Sequence, residues 1–251
     1  MRANLGPLIV LSSALLLIAA VHVRAVERDE VVGGQRVNVM PEAYRPVAWV
    51  QIGDSFCTGT MVSPEWVLTA AHCLNDLVPG DPVRVVFGTL SIRESIRIER
   101  EVVEAVVHPR FNRRAAKRGF DAALLKLESP VLGIAPVWVG PIDVSIGQTA
   151  TAVGYGIYSM RHQQFGDLNE GGLEIRLLTS RAIVAVASPA MGCAGDSGGP
   201  LFVTDPRAGL TQIGIASFGD PNCSTYGVFT RISSVRDWMT TVIDGTAPRS
   251  E

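Results

Sequence analysis

The stretch Gly192-Cys193-Ala194-Gly195-Asp196-Ser197-Gly198-Gly199-Pro200 constrains this chain more than any other. It sets one serine among glycines, with an acid directly before it and a cysteine four residues upstream. Glycine permits backbone conformations and close approaches that a Cβ forbids, so such a run can hold one hydroxyl at a turn open to a substrate carbonyl. Ser197 is therefore the candidate nucleophile.

A serine hydroxyl is a weak nucleophile at neutral pH and needs a general base, which in turn needs a group to orient it. The chain has four histidines. His22 lies in an apolar N-terminal run, His108 precedes Pro109 and His162 sits in a polar stretch, whereas His72 closes Leu68-Thr69-Ala70-Ala71-His72-Cys73. A turn of small residues anchored by a cysteine can fix an imidazole, which makes His72 the candidate base. Asp121 leads straight into Ala122-Ala123-Leu124-Leu125-Lys126-Leu127, an apolar run of strand length where a carboxylate is costly unless hydrogen-bonded. Asp76, Asp81, Asp143 and Asp167 lie in turn-like or polar surroundings. Taken singly, His72 reads equally as a core histidine, Asp121 as a strand-edge cap and Ser197 as a turn serine; the combination is what points to catalysis.

The order His72, Asp121, Ser197 also discriminates between folds. Gly195-Asp196-Ser197-Gly198-Gly199 fits the G-x-S-x-G elbow of the α/β-hydrolases, but that fold needs its histidine after the serine. No histidine follows Ser197. The segments Val31-Val32-Gly33-Gly34, Leu68-Thr69-Ala70-Ala71-His72-Cys73, Asp121-Ala122-Ala123-Leu124-Leu125, Gly154-Tyr155-Gly156, Gly195-Asp196-Ser197-Gly198-Gly199-Pro200 and Ser217-Phe218-Gly219 instead resemble, in order and approximate spacing, the trypsin/chymotrypsin-like (S1) serine proteases. The resemblance runs from Val31 to Ile243.

A chain of 251 residues, 47% hydrophobic and with net charge −2, can bury a full core, and nothing in its balance suggests nucleic acid. Between residues 47–52, 58–62, 66–69, 83–87, 102–107, 122–127, 149–153, 182–186, 201–203, 212–217 and 228–232, short apolar runs alternate with Gly, Pro, Asp and Asn. That pattern predicts an all-β sandwich or barrel. The resemblance implies two antiparallel six-stranded β-barrels joined near 136–141, with the active site in the cleft between them. A C-terminal α-helix closes the chain: Ser234 is expected to cap it, with Val235, Trp238, Met239, Val242 and Ile243 on one face.

The N-terminus reads differently. Residues 1–25 carry a basic start at Arg2, an apolar run from Leu8 to Val21 broken by Ser12 and Ser13, and a closing Val23-Arg24-Ala25. This is the layout of a secretory signal peptide, cut after Ala25 or, as second choice, after Ala20. The strictly apolar stretch is short for a bilayer span, so no membrane association is expected after cleavage. Residues 26–30 read as a short propeptide, 31–245 as the protease domain and 246–251 as a loose tail. In the resembled family a cut before Val31 frees an amine that pairs with the acid preceding the nucleophile, here Asp196. Glu30 stands where family zymogens have Arg or Lys; a glutamate-cutting protease, trimming or direct signal cleavage each remain open as the maturation route.

The resemblance also assigns the remaining site residues. It pairs Cys57 with Cys73 and Cys193 with Cys223, in keeping with an oxidising, extracellular setting. It gives an oxyanion hole made by the N–H groups of Gly195 and Ser197. It places Met191 at the base of the primary specificity pocket, six residues before the nucleophile, with Gly192 next, Gly219 and Gly227 on its walls and Ser217 and Phe218 beside them. Met191 cannot pair with Lys or Arg, so an apolar side chain such as Leu, Met, Phe or Tyr is expected before the scissile bond. If the flexible Met191 half-fills the pocket, the choice narrows to Ala or Val. The segments between Gly156 and Met191 and between Cys223 and Gly227 are shorter than is usual in the family.

Arg110, Arg113, Arg114, Lys117 and Arg118 crowd the loop before Asp121. They read as a solvated charged face; a preference for acidic residues upstream of the cut is the alternative, and would make turnover of acidic substrates fall with salt. No acid follows Gly88 directly, where calcium-binding relatives carry one, so no metal and no cofactor are expected. The expected partners are protein or peptide substrates and protein protease inhibitors, with no nucleic acid, and the protein is expected to be a monomer.

Overall fold

Each apolar run between residues 47 and 232 coincides with a strand, save for Ala122 and Ile232 at run ends, and the strands close into two barrels. The computed structural model describes residues 34–78, 80–157, 164–187, 194–221 and 223–245. The expected signal peptide, propeptide and tail, together with Val31, Met191, Gly192 and Cys193, lie outside the described residues.

The first barrel is built from β2 (Val47–Ile52), β3 (Ser55–Ser63), β4 (Trp66–Thr69), β5 (Val83–Phe87), β6 (Ile98–Val107) and β7 (Ala123–Leu127), closed in the order β2-β3-β4-β7-β6-β5. Gly53 at φ +53° turns the two-residue hairpin between β2 and β3, a position an L side chain rarely tolerates. The pleat sends Val50, Val67, Val85, Leu125 and Leu127 inward to one apolar cluster. The linker then changes sides within two residues. Val137 N–H donates to Met61 of the first barrel at 2.9 Å, and Trp138 C=O accepts from Gln212 of the second at 3.0 Å.

The second barrel comprises β8 (Thr149–Gly154), β9 (Asn169–Leu178), β10 (Ala182–Ala187), β11 (Pro200–Asp205), β12 (Gly209–Gly219) and β13 (Tyr226–Arg231). The order β9-β10-β13-β12-β11-β8 closes through the β8–β9 pairing, and β1 (Gln35–Arg36) adds to β9 from outside. Leu173, Ile175, Ile183, Leu201, Ile213 and Phe229 fill it. Two strands escaped the sequence reading. β9 opens with Asn169-Glu170-Gly171-Gly172, which looks like a turn, yet Gly171, Leu173 and Ile175 alternate inward. β1 is too short to show any period.

Ile232, expected at a strand end, instead starts the helix α1 (Ile232–Ile243). The helix leaves the second barrel but lays Ile232, Val235, Met239 and Val242 on Leu68, Phe120 and Leu124 of the first, with Trp238 and Ile243 alongside. It thereby braces the segment that leads into Asp121. The cap differs from expectation: Arg231 occupies the N-cap with no side-chain bond, and Ser234 lies inside the first turn, donating to the Arg231 carbonyl at 2.7 Å. A serine hydroxyl within a helix can bond back to the preceding turn, and here it does so in place of capping. Among the described residues no helix is long and apolar enough to cross a membrane.

Candidate active site

His72 sits on the single 3₁₀ turn Ala71–Leu74 that follows β4, and its neighbour Cys73 is bonded to Cys57 on β3. The disulfide ties the turn to the barrel wall. Asp121, wholly buried, stands just before β7. Its Oδ1 accepts the main-chain N–H of His72 at 2.9 Å and its Oδ2 lies 2.8 Å from the ring Nδ1. The Ser217 hydroxyl donates to the same Oδ2 at 2.5 Å. A buried carboxylate needs such donors, and these three also fix the imidazole. About a quarter of the His72 side chain is exposed, so the ring is held on one edge and open on another.

The segment before Asp121 is shaped by Phe120, which adopts φ +62° after Gly119 at +88°. A bulky residue in the left-handed region is uncommon and is kept there by its packing. His108 stacks on the Phe120 ring with centroids 4.9 Å apart, and Trp238 of α1 meets His108 edge-on at 4.8 Å. Burial, reinforced by the Arg110 charge, pushes the His108 imidazole down to about 4. Its Nδ1 accepts the Arg110 N–H at 3.2 Å.

Ser197 lies on a turn pinned from both barrels. The Thr58 N–H donates to its carbonyl at 2.8 Å, Gly198 N–H to Ala216 C=O at 2.8 Å, and Ala216 N–H to Gly199 C=O at 2.8 Å. Cys73 Sγ lies 3.8 Å from the Ser197 carbonyl, which brings the serine's backbone to the residue next to His72. Gly195 at φ +94° and Gly198 at +81° make the turn possible. A Cβ on the first would collide with the Phe56 ring, and one on the second with Thr69 Oγ1. Among the described residues the N–H groups of Gly195 and Ser197 have no protein acceptor, and the Ser197 hydroxyl makes no bond, to His72 or to any other group. The structure thus joins His72 to Asp121 directly and sets Ser197 beside them unbonded.

A cavity opens at Ser197, lined by Ala216, Ser217, Phe218, Gly219, Gly227 and Val228 among others. Its two acids are engaged. Asp196 Oδ1 accepts the Gly156 N–H at 2.9 Å. Asp220 Oδ2 accepts from the Ser224 N–H at 2.9 Å, the Thr225 N–H at 2.6 Å and the Thr225 hydroxyl at 2.8 Å. Cys223, on the cavity wall, is disulfide-bonded; its expected partner Cys193 is outside the described residues.

The basic loop is partly tied down. Arg113 pairs with Asp76, four residues after His72, at 2.5 Å, and Arg110 and Arg181 lie over the Phe120 ring at 4.1 and 5.3 Å. The side chains of Lys117 and Arg118 lie outside the described residues. Cys57, His72 and Cys73 cluster closely enough to ligate an ion, but both sulfurs are committed to the disulfide. The roles of Thr58, Phe120 and Asp220 had no local sequence signal, and Ser217 was legible only as a cavity residue.

Comparison with known proteins agrees with this architecture. The family model described as trypsin matches residues 31–239. The chain is 31% identical over 225 residues to a trypsin of Saccharopolyspora erythraea, covering 82% of this chain and 95% of that one. It is 31% identical over 232 residues to brachyurin of Leptuca pugilator, covering 84% and 97%. It is 29% identical over 258 residues to a protein named inactive snake venom serine proteinase 13 from Crotalus adamanteus, covering 92% and 93%. With the two closed barrels and a family match over most of its length, the chain belongs to the trypsin family of serine proteases.

Proposed function

We propose that the protein is a secreted serine endopeptidase that cleaves peptide bonds through an acyl-enzyme. The observation that carries this reading is the buried Asp121 carboxylate bound to both the backbone and the ring of His72, with Ser197 on the adjoining turn. Asp121 holds His72 in the tautomer with its proton on Nδ1, leaving Nε2 to act as base. Ser197 Oγ attacks the substrate carbonyl while Nε2 takes its proton. The carbonyl oxygen, now negative, is received by the N–H groups of Gly195 and Ser197, each donor contributing about 3 to 4 kcal/mol by analogy with other proteases. The C–N bond then breaks as the imidazolium gives its proton to the leaving amine. Water, deprotonated by His72, attacks the ester, and the acid leaves as Ser197 regains its hydrogen.

The substrate residue before the scissile bond enters the cavity beside Ser197. Its lining supports an apolar preference, because Asp196 and Asp220 already spend carboxylate oxygens on backbone and side-chain donors. Met191 and Gly192, outside the described residues, are assigned to its base by the family resemblance alone. The protein is made with the signal peptide 1–25 and the propeptide 26–30; the freed Val31 amine pairs with Asp196. It acts outside the cell as a monomer, on protein or peptide substrates and under the control of protein inhibitors.

A catalytically silent, binding role is the alternative, favoured by the relative named as inactive. Against it, His72, Asp121 and Ser197 are all present. An esterase with the same residues is also chemically allowed, since acyl transfer does not depend on the leaving group being an amine. A mixed peptide library decides, digested by protein starting at Val31 with Ser197→Ala as control. Cleavage after apolar residues, absent from the control, supports the endopeptidase; cleavage after Lys or Arg overturns the pocket assignment, and no cleavage by folded protein favours the silent role.

A further inference from the structure

Thr58 lies on β3 beside Cys57 in the first barrel and is fully buried, yet its hydroxyl and N–H reach across to the turn that carries Ser197. Its hydroxyl donates to the Gly195 carbonyl at 2.9 Å and accepts the Tyr155 N–H at 3.1 Å. The direction of both bonds is fixed, since a carbonyl only accepts and an amide N–H only donates. Its own N–H donates to the Ser197 carbonyl at 2.8 Å. Its carbonyl accepts from the hydroxyl of Thr69, three residues before His72 on the strand that leads to it, at 2.9 Å. One residue of the barrel that carries His72 thus holds the carbonyls on both sides of Asp196.

The consequence is local and mechanical. Gly195, at φ +94°, has no side chain to restrain its peptide planes. A hydrogen bond to each flanking carbonyl fixes the planes of the Gly195–Asp196 and Ser197–Gly198 peptides, and with them the backbone between, which carries the Ser197 N–H and Cβ. Of these two clamps, the one on Ser197 comes from the Thr58 backbone N–H and survives any substitution but proline; the one on Gly195 comes from the hydroxyl alone.

We propose that the Thr58 hydroxyl is a positioning device for the oxyanion site and nucleophile, acting through Gly195 rather than by touching substrate. This rests on the assignment of Gly195 and Ser197 given above. Electrostatic stabilisation of this type depends on donors already aimed where charge develops, so loosening Gly195 weakens the transition state more than substrate binding.

The test compares the purified, processed wild-type protein with Thr58→Val, Thr58→Ala and Thr58→Ser. It measures kcat and KM on a chromogenic peptide with an apolar residue before the scissile bond, and Ki for the matching peptide boronic acid, whose adduct with serine is tetrahedral. The valine keeps the shape and loses the hydroxyl; the alanine serves if the valine protein does not fold; the serine restores the hydroxyl. The expected result is a 10- to 100-fold fall in kcat with KM within threefold, a parallel loss of boronate affinity in Val and Ala, and near wild-type values in Ser. A folded Thr58→Val or Thr58→Ala protein with unchanged kcat and boronate affinity overturns the inference, as does an equal loss in Thr58→Ser. An inactive wild-type protein sinks the endopeptidase reading and this inference with it, whereas an active wild type beside an unimpaired valine variant sinks this inference alone.

Discussion

Asp121 grips His72 by both oxygens, Oδ1 on the main-chain N–H at 2.9 Å and Oδ2 on the ring Nδ1 at 2.8 Å. An amide in its place keeps the size but can present an N–H to the ring, favouring the wrong tautomer. Asp121→Asn is expected to fold and to lose about 10⁴ in kcat, as in the archetypal triad. Steady-state kinetics on a chromogenic peptide, with circular dichroism as the fold control, checks this; a loss under tenfold contradicts the role given to Asp121.

The third donor to Asp121 makes a graded comparison possible. Ser217→Ala removes the 2.5 Å bond to Oδ2 and leaves both His72 bonds in place. Loss of one hydrogen bond to a charged group, about 1.5 to 3 kcal/mol, corresponds to a fall of roughly 10- to 100-fold in kcat if it is felt in the transition state. The drop should stay well below that of Asp121→Asn when the two proteins are assayed side by side.

Gly195 tests the nucleophile turn. At φ +94°, and with the Phe56 ring where a Cβ would stand, Gly195→Ala forces the loop off its path. The variant is expected to lose activity by at least a hundredfold and to melt several degrees below the wild type, measured by peptide hydrolysis and thermal denaturation. Wild-type activity in this variant contradicts the geometry assigned to the turn.

His108 makes stability depend on acid. Its folded-state value, about 4, lies below the ordinary 6.5 because burial, then the Arg110 charge, disfavour the cation. The unfolded chain therefore binds more protons between these values. The contribution is complete above about pH 6.5 and is lost as pH falls toward 4, at up to about 1.4 kcal/mol per unit. Urea unfolding at pH 7, 5.5 and 4.5 should show this slope in the wild type and a shallower one in His108→Gln; parallel slopes contradict it.

The barrels were legible because their strands are apolar runs bounded by turn residues, as in 47–52 and 66–69. β9 was hidden because glycine fills an inward position at Gly171, where periodicity looks for an apolar side chain. The candidates His72, Asp121 and Ser197 were legible from residue type and order. Their support was not. The Thr58 and Ser217 hydroxyls and the Phe120 ring act on residues far away in sequence, and threonine on a strand or phenylalanine before an aspartate carries no local mark of that role. Ser234 shows the converse error: a good capping residue type was present, but the chain turned into the helix three residues earlier.

Every step of the proposed reaction depends on activation of Ser197 by His72 and Asp121. The most direct measurement is intact-mass spectrometry of protein starting at Val31 after treatment with a serine-directed phosphonylating reagent, beside Ser197→Ala and Asp121→Asn. One adduct per chain on Ser197 is expected in the wild type, none in Ser197→Ala and much slower labelling in Asp121→Asn. A folded wild-type protein that takes up no reagent, or labels as fast without Ser197, contradicts it.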